Sequence, residues 1–430
     1  MMKHMTDHAL LSNQQYGFIE GRSTTLQLLT VLDDWTSYLD QGKTIDVVYC
    51  DFRKAFDKVP HRRLLEKVKA YGFRGKLLEW LTDFLLGRHQ RVFINNSFSD
   101  WSEVRSGIPQ GSVLGPMLFV LYVNDLPNAV SSSSVFLFAD DLKMYHPIQD
   151  PCDQQELQSD ISKVQKWTED SLLELHPEKC VTMTVHTRGH QAHQQTYTLG
   201  QAQPLKKVEK EKDIGVTVDS QLKFQEHLQE KINKANRLLG VIWRTFEYKD
   251  EEIMVSLYKS LIRPHLEYAN QAWAPHLRKD IESLESVQRR ATRMIPGMKD
   301  LDYHERLQHL NLPTLAYRRL RGEMIELYKM THGLYEDHLI GDRIQPANST
   351  NTRGHSLKLK VQGARLDLRK HSFFVRAIEP WNHLSEYVVQ APSIAAFERR
   401  LDQLWKDHPL RYDHKSPTRA HVTATVAQQQ

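Results

Sequence analysis

The chain has only three cysteines, Cys50, Cys152 and Cys180, in 430 residues. They share no paired spacing, which argues against both a disulfide framework and a zinc finger and makes a reducing compartment the default. No apolar run reaches the roughly 18 residues that a membrane-spanning helix needs, and residues 1–10 lack the apolar centre of a signal peptide. These absences lead us to expect a soluble, intracellular protein of the cytoplasm, the nucleus or both, with no membrane partner. Charge of one sign is also lacking: 57 Lys and Arg against 53 Asp and Glu leave a formal net charge of +4. Such a mildly basic balance suits nucleic acid as a partner but says nothing about fold. At about 150 residues per domain, the length allows two or three domains with real cores.

What the chain does have is carboxylates at the ends of apolar runs. Residues 45–50 are mostly apolar and β-prone, and the run ends in Tyr49-Cys50-Asp51-Phe52; it reads as a buried strand that delivers Asp51 to its mouth. A second apolar run, residues 135–139, ends in Phe138-Ala139-Asp140-Asp141 and is followed by Leu142, Met144 and Tyr145. This pattern predicts a β-hairpin with the acidic pair at its tip. Neighbouring side chains on an extended chain face opposite ways, so only a turn aims both aspartates at one site. An unpaired buried charge is expensive, and the natural partner for such a cluster is a divalent cation. Mg²⁺ takes oxygen ligands and is typically held by one or two carboxylates plus the phosphates of a substrate, so a few aspartates suffice; Mn²⁺ is the alternative. Two such ions about 3.5–4 Å apart stabilise the attacking and leaving oxygens of an in-line phosphoryl displacement. Taken singly, each motif also reads as a solvated turn.

Between the acidic motifs lies Ser106-Gly107-Ile108-Pro109-Gln110-Gly111-Ser112-Val113-Leu114-Gly115-Pro116, then an apolar run over 117–123. Glycines at the mouth of a helix let backbone approach a ligand closely, although an ordinary loop entering a core helix has the same pattern. Helical spacing recurs at Leu64, Leu65, Val68 and Tyr71 after Pro60, at Leu77, Trp80, Leu81 and Phe84, and at Leu157, Ile161, Val164 and Trp167. From about residue 221 the character is mainly helical: 224–239, 253–262, 281–294 and 315–330. Thr24 to Gln27 reads as a capping box before Leu28, Val31, Leu32 and Trp35, so Arg22 is read as a structural residue preceding a helix. Arg62-Arg63, Arg289-Arg290 with Arg293, and Arg318-Arg319 with Arg321 form basic clusters. With aromatics such as Trp243, Tyr268, Trp273 and Tyr317 interspersed they suit a nucleic-acid surface, although a charge run is usually a solvated helix face. His186, His190 and His193 have metal-like spacing but sit in a Gln- and Gly-containing connection, which argues against zinc.

The order Asp51-Phe52-Arg53-Lys54-Ala55-Phe56-Asp57, then Ser106 to Pro116, then Phe138 to Asp141, resembles the polymerase motifs of the reverse transcriptases of non-LTR (LINE-type) retrotransposons, near the jockey and chicken-repeat groups. Gln15-Tyr16-Gly17-Phe18 with Gly21-Arg22-Ser23-Thr24 is similar to a fingers motif of that family. The resemblance implies an α+β fold: a right-hand polymerase palm, an antiparallel sheet with helices, plus partial fingers, followed by a mainly helical thumb and a C-terminal extension. The domains expected are 1–220 for partial fingers and palm, 221–340 for a helical thumb or connection, 341–415 for the extension, and 416–430 as a disordered tail. Residues 345–354 look like a linker. The segments Arg263 to Tyr268, Glu285 to Arg293 and Phe373 to Trp381 also resemble the region downstream of the polymerase in these elements.

The implied activity is RNA-directed DNA polymerase, with an RNA template, a DNA primer and dNTPs as partners. Asp51 and Asp140 match the principal metal ligands, with Asp141 beside them and the Phe52 carbonyl as a further ligand. Phe56 matches the aromatic gate that excludes a 2′-hydroxyl by clash, or it is core. Gln110 and Gly111 match the segment lying against nucleotide and template. Lys179 falls where the family carries a lysine suited to protonating the pyrophosphate leaving group, or it is a solvated charge. Ile214, Gly215 and Val216 fall in the primer-gripping hairpin. The family's endonuclease domain, its fingers stretch Arg-Pro-Ile and its Cys-rich knuckle are not found, so the resemblance is to an N-terminally truncated member. Two readings remain open. One is a polymerase working alone or in trans; the other is a catalytically inactive relic that at most binds nucleic acid.

Overall fold

The computed structural model describes residues 1–189, 196–200, 203–347 and 354–417. His190, His193, most of the expected linker and nearly all of the expected tail lie outside the described residues. The backbone divides into two compact units, one of residues 1–27 and 41–214, the other of residues 28–40 and 215–430.

The first unit is built on a five-stranded sheet. Its strands are β1 (Thr44–Cys50), β2 (Ser134–Phe138), β3 (Asp141–Ile148), β4 (Val181–Val185) and β5 (Lys206–Lys207), in the order β5-β4-β1-β3-β2. β1 runs antiparallel to both β3 and β4, with Cys50 opposite Leu142 and Tyr49 opposite Val181. β2 and β3 form the expected hairpin, closed by Phe138 opposite Asp141. Only β5 pairs in parallel, with β4. The α+β class and the mostly antiparallel sheet are as anticipated.

Helices cover this sheet for legible reasons. The helix Gly115–Val123 carries apolar residues all round, and Leu118 to Val123 are fully buried, as expected for a helix with no polar face. Helix Pro151–Asp170 starts with a capping box in which Asp150 and Asp153 satisfy each other's backbone N–H, and it buries Leu157, Ile161 and Val164. Helices His61–Ala70 and Lys76–Leu85 match the predicted spacings. One detail differs. The helix Thr24–Asp40 is capped by Ser23, whose Oγ accepts from the Leu26 N–H at 3.1 Å. Gln27 does not close the predicted box; its Nε2 donates to the Leu137 carbonyl of β2 at 3.0 Å. The Leu137 carbonyl, which also accepts from the Tyr16 N–H at 2.8 Å, has a second lone pair for the buried amide, and the helix end is already served by serine.

The second unit is helical, as its spacing implied, with Gln225–Thr245, Arg278–Arg293, Leu315–Thr331 and Ile394–Leu404 as its longer members and the shorter Glu251–Leu257 beside them. Tyr258–Ile262 continues Glu251–Leu257 as a π-helical turn. Fully buried Glu285 is the centre of a polar network: it accepts from the Tyr303 hydroxyl at 2.6 Å and from the Leu315 N–H at 3.1 Å, at the start of helix Leu315–Thr331. The basic cluster at 318–321 is spent inside this unit. Arg318 pairs with Glu267, Arg321 with Asp402, and Arg319 is buried. These arginines hold helices together, and the expectation that they face a template fails because acidic residues distant in sequence neutralise them first. Arg62, Arg63, Arg290 and Arg293 do remain exposed.

Candidate active site

Asp51 follows the last residue of β1, and Asp140 and Asp141 stand at the turn between β2 and β3, the strands on one side of β1. Ala139 takes the left-handed conformation, φ 57°, which closes a two-residue turn and brings both aspartates to the Asp51 end of the sheet. The three carboxylates feel one another. Burial first, and then the Asp51 charge, raise the Asp140 carboxyl above its usual range against the opposing pull of a backbone hydrogen bond. Loss of surrounding water, followed by the charges of Asp140, Asp213 and Asp51, pushes Asp141 up to about 6. Mutual repulsion of this kind marks a place that favours a cation.

Lys179 reaches this site through β4. The segment before β4 is tied to the end of β1 by Arg53 N–H to Glu174 O at 2.7 Å and His176 N–H to Asp51 O at 2.8 Å, with Phe52 opposite Leu175. The result places the Lys179 ammonium 3.1 Å from Asp51 Oδ2. That oxygen is shielded from solvent. The Phe52 ring is buried beneath.

The Ser106–Pro116 segment is clipped to the chain just after Asp51. Gly107 N–H donates to Val59 O at 2.9 Å and Ile108 N–H to Phe56 O at 2.8 Å, while the His61 ring bonds the Gly107 carbonyl at 2.7 Å. Gly107 has φ 94°, and a Cβ there would come within 2.8 Å of the Asp57 carbonyl, so this glycine is needed for the close approach. The clip sets Gln110 Nε2 2.9 Å from Asp57 Oδ1 and leaves Gly111, at φ 80°, facing open space. Phe56 is half-buried and stacks on Phe119, with ring centroids 4.5 Å apart. Ile214 and Gly215 have φ 43° and 84°, a tight turn between the strands Lys210–Asp213 and Val216–Asp219. The predicted residues Asp51, Asp140, Asp141 and Lys179 are thus brought together, and Phe56, Gln110 and Gly111 lie along the chain fastened beside them.

Three residues take roles that were not foreseen. Lys143, on β3 two positions after Asp141 and so on the same face, makes an ion pair with Asp213; the side chains are only 4% and 5% exposed. A cavity of about 390 Å³ opens between this pair, Asp51, Asp141 and Lys179. A lysine inside an otherwise apolar strand was the available signal. The third is Gln15, whose role depends on a contact distant in sequence. Among the described residues, no group of three or more His, Cys, Asp or Glu side chains is gathered closely enough to hold an ion alone.

Residues 1–226 match the reverse transcriptase (RNA-dependent DNA polymerase) family. The chain belongs to this reverse transcriptase family. The family generally depends on a divalent metal. Among curated proteins, the chain is similar to a probable RNA-directed DNA polymerase from transposon BS of Drosophila melanogaster, 26% identical over 74% of this chain and 37% of that protein. It is also similar to the RNA-directed DNA polymerase from mobile element jockey of Drosophila funebris, 26% identical over 66% of this chain and 32% of the relative. The reverse transcriptase chain therefore spans about a third of the length of these curated relatives. Among solved structures, telomerase from Candida albicans in complex with a fragment of telomeric RNA aligns over 77% of this chain and 49% of that one, at 10% identity and a TM-score of 0.41. Among the described residues, no helix is long and apolar enough to cross a membrane.

Proposed function

We propose that this chain is the polymerase part of a non-LTR retrotransposon RNA-directed DNA polymerase, moving a nucleotidyl group from a dNTP to a primer 3′-hydroxyl on an RNA template. The observation that carries the reading is the convergence of Asp51, Asp140 and Asp141 at one end of the sheet, where the Asp51 charge acts on Asp140 and both act on Asp141. The residues fit a divalent cation by donor chemistry, three carboxylates at one end of the sheet, with Asp51 Oδ2 shielded from solvent and already facing a cation, the Lys179 ammonium. Asp51, Asp140 and Asp141, with the Phe52 carbonyl, would hold Mg²⁺ or Mn²⁺, which would stabilise charge on the attacking and leaving oxygens.

The remaining roles belong to the chain itself. Lys179, held 3.1 Å from Asp51, supplies a proton to the pyrophosphate leaving group by general acid catalysis. The Phe56 ring, stiffened by its stack on Phe119, rejects a ribose 2′-hydroxyl by clash. Gln110, anchored on Asp57, and Gly111, without a side chain, lie against nucleotide and template. Ile214, Gly215 and Val216 grip the primer backbone. Positioning and preorganised charge do most of the work in such a transfer.

The test is Mg²⁺-dependent primer extension on an RNA template by residues 1–430, beside Asp140→Ala, with primer–template binding measured in parallel. Extension that disappears in the variant while binding persists is the expected result. Binding without extension by the unaltered chain leaves a nucleic-acid-binding protein without turnover, and equal extension by Asp140→Ala overturns the site.

A further inference from the structure

The segment Gln15-Tyr16-Gly17-Phe18, similar in sequence to a fingers motif, lies against the acidic hairpin in this chain. Tyr16 N–H donates to Leu137 O and Leu137 N–H to Gln14 O, both at 2.8 Å, along the outer edge of β2. Gln15 is fully buried. Its side-chain oxygen accepts from the Gly17 N–H at 2.7 Å and from the Ala139 N–H at 3.0 Å. Two N–H donors converge on this atom, so it must be the amide oxygen; the Gln15 Nε2 finds no acceptor. Gly17 completes the contact from the other side, because a Cβ there would stand 2.4 Å from the Ala139 nitrogen. Gln27, also fully buried, adds its bond to Leu137 O at 3.0 Å.

These contacts end on the residue that sets the acidic turn. Ala139 is an alanine in the left-handed region, φ 57°, a conformation that a non-glycine residue keeps only when its surroundings hold it there. Asp140 is the next residue, so a rotation at Ala139 swings its carboxylate directly. We propose that Gln15 and Gly17 are positioning residues for the acidic site: the Gln15 oxygen holds the Ala139 amide, and the bare Gly17 backbone leaves room for it. The inference rests on the polymerase reading for the purpose of the site, but the contact itself is independent of it. A buried amide donor left without an acceptor is tolerated here because the oxygen on the same group is needed.

The test uses the full chain and three variants: Gln15→Met, which keeps the volume and removes the oxygen, Gln15→Glu, which keeps the oxygen, and Gly17→Ala. Mn²⁺ binding by the protein alone is followed by electron paramagnetic resonance, and Mg²⁺ dependence by primer extension. Removing a group that orients metal-binding side chains typically costs about 10- to 100-fold in affinity. The expectation is an at least tenfold weaker Mn²⁺ affinity and a higher Mg²⁺ half-point in Gln15→Met and Gly17→Ala, with primer–template binding unchanged and Gln15→Glu closer to the parent. Unchanged Mn²⁺ affinity in folded Gln15→Met overturns the inference. Hydrogen exchange at the Ala139 amide in the unaltered protein reads the same bond without any variant: protection supports it, and exchange at the rate of an open turn overturns it. A parent chain that neither binds Mn²⁺ nor extends a primer counts against the polymerase reading, while Ala139 exchange still reports on the turn.

Discussion

Lys143 and Asp213 form the most exposed weakness of the first unit. Lys143 sits in β3 between Leu142 and Met144, opposite Tyr49 of β1 and Phe136 of β2, and both partners are about 95% removed from solvent, with exposures of 4% and 5%. Replacing one partner leaves the other as an uncompensated buried charge, which costs about 3–5 kcal/mol, whereas replacing both by apolar residues of similar volume is often neutral or better. Lys143→Met should therefore destabilise the unit by about 3–5 kcal/mol. Lys143→Met with Asp213→Leu should recover most of that loss. With a urea slope of about 3 kcal/mol per molar, at the upper end for small proteins, the single variant moves the midpoint down by about 1–1.7 M. Because the chain has two units, the measurement should be local: hydrogen exchange of β1 and β3 amides as a function of urea. A single variant within about 0.5 kcal/mol of the parent, or a double variant as damaged as the sum of two singles, refutes the reasoning.

The site itself makes two further behaviours measurable. In an acid whose folded pKa is raised, the native state binds the proton more tightly than the unfolded chain, so ionisation costs stability. With Asp141 pushed up to about 6 from an ordinary value of 3.8, cation-free protein should gain stability as pH falls from 7 through 6 towards 4, and Asp141→Asn should abolish that part of the gain. The same proton competes with the cation, so the Mg²⁺ half-point for extension should rise below pH 6, by at most about tenfold per pH unit for one proton. A half-point flat between pH 5 and 7 contradicts this. Phe56→Ala removes a half-buried ring stacked on Phe119 and should cost about 1.5–2.5 kcal/mol, roughly half the loss for a fully buried Phe. It should also admit ribonucleotides, measured as the ratio of rNTP to dNTP incorporation. Destabilisation with unchanged sugar selectivity makes Phe56 a core residue only.

The difference between what was legible in the sequence and what was not is a difference in range. β1 and the acidic hairpin were readable because apolar runs ending in aspartate state both the strand and its boundary locally, and the helices His61–Ala70 and Pro151–Asp170 because their spacing repeats within a few turns. β4 alternates legibly, Val181-Thr182-Met183-Thr184-Val185, as a half-exposed strand would; that its threonine face is buried as well was not legible, because the partner of Thr184, Asp46, lies 138 residues away. Where that strand lies was not legible: the hydrogen bonds from residues 53 and 176 carry Lys179 to Asp51. The Arg318–Arg321 cluster failed in the opposite direction, because Glu267 and Asp402, which neutralise it, lie 51 and 81 residues away. Gln15 and Lys143 belong to the same class. Each is a polar residue in an apolar setting, a local conflict that the chain resolves only through a partner far along the sequence, Ala139 for one and Asp213 for the other. Such conflicts gather at working sites. A buried amide and a buried lysine on either side of the two hairpin carboxylates are therefore better evidence for the site than any further exposed charge.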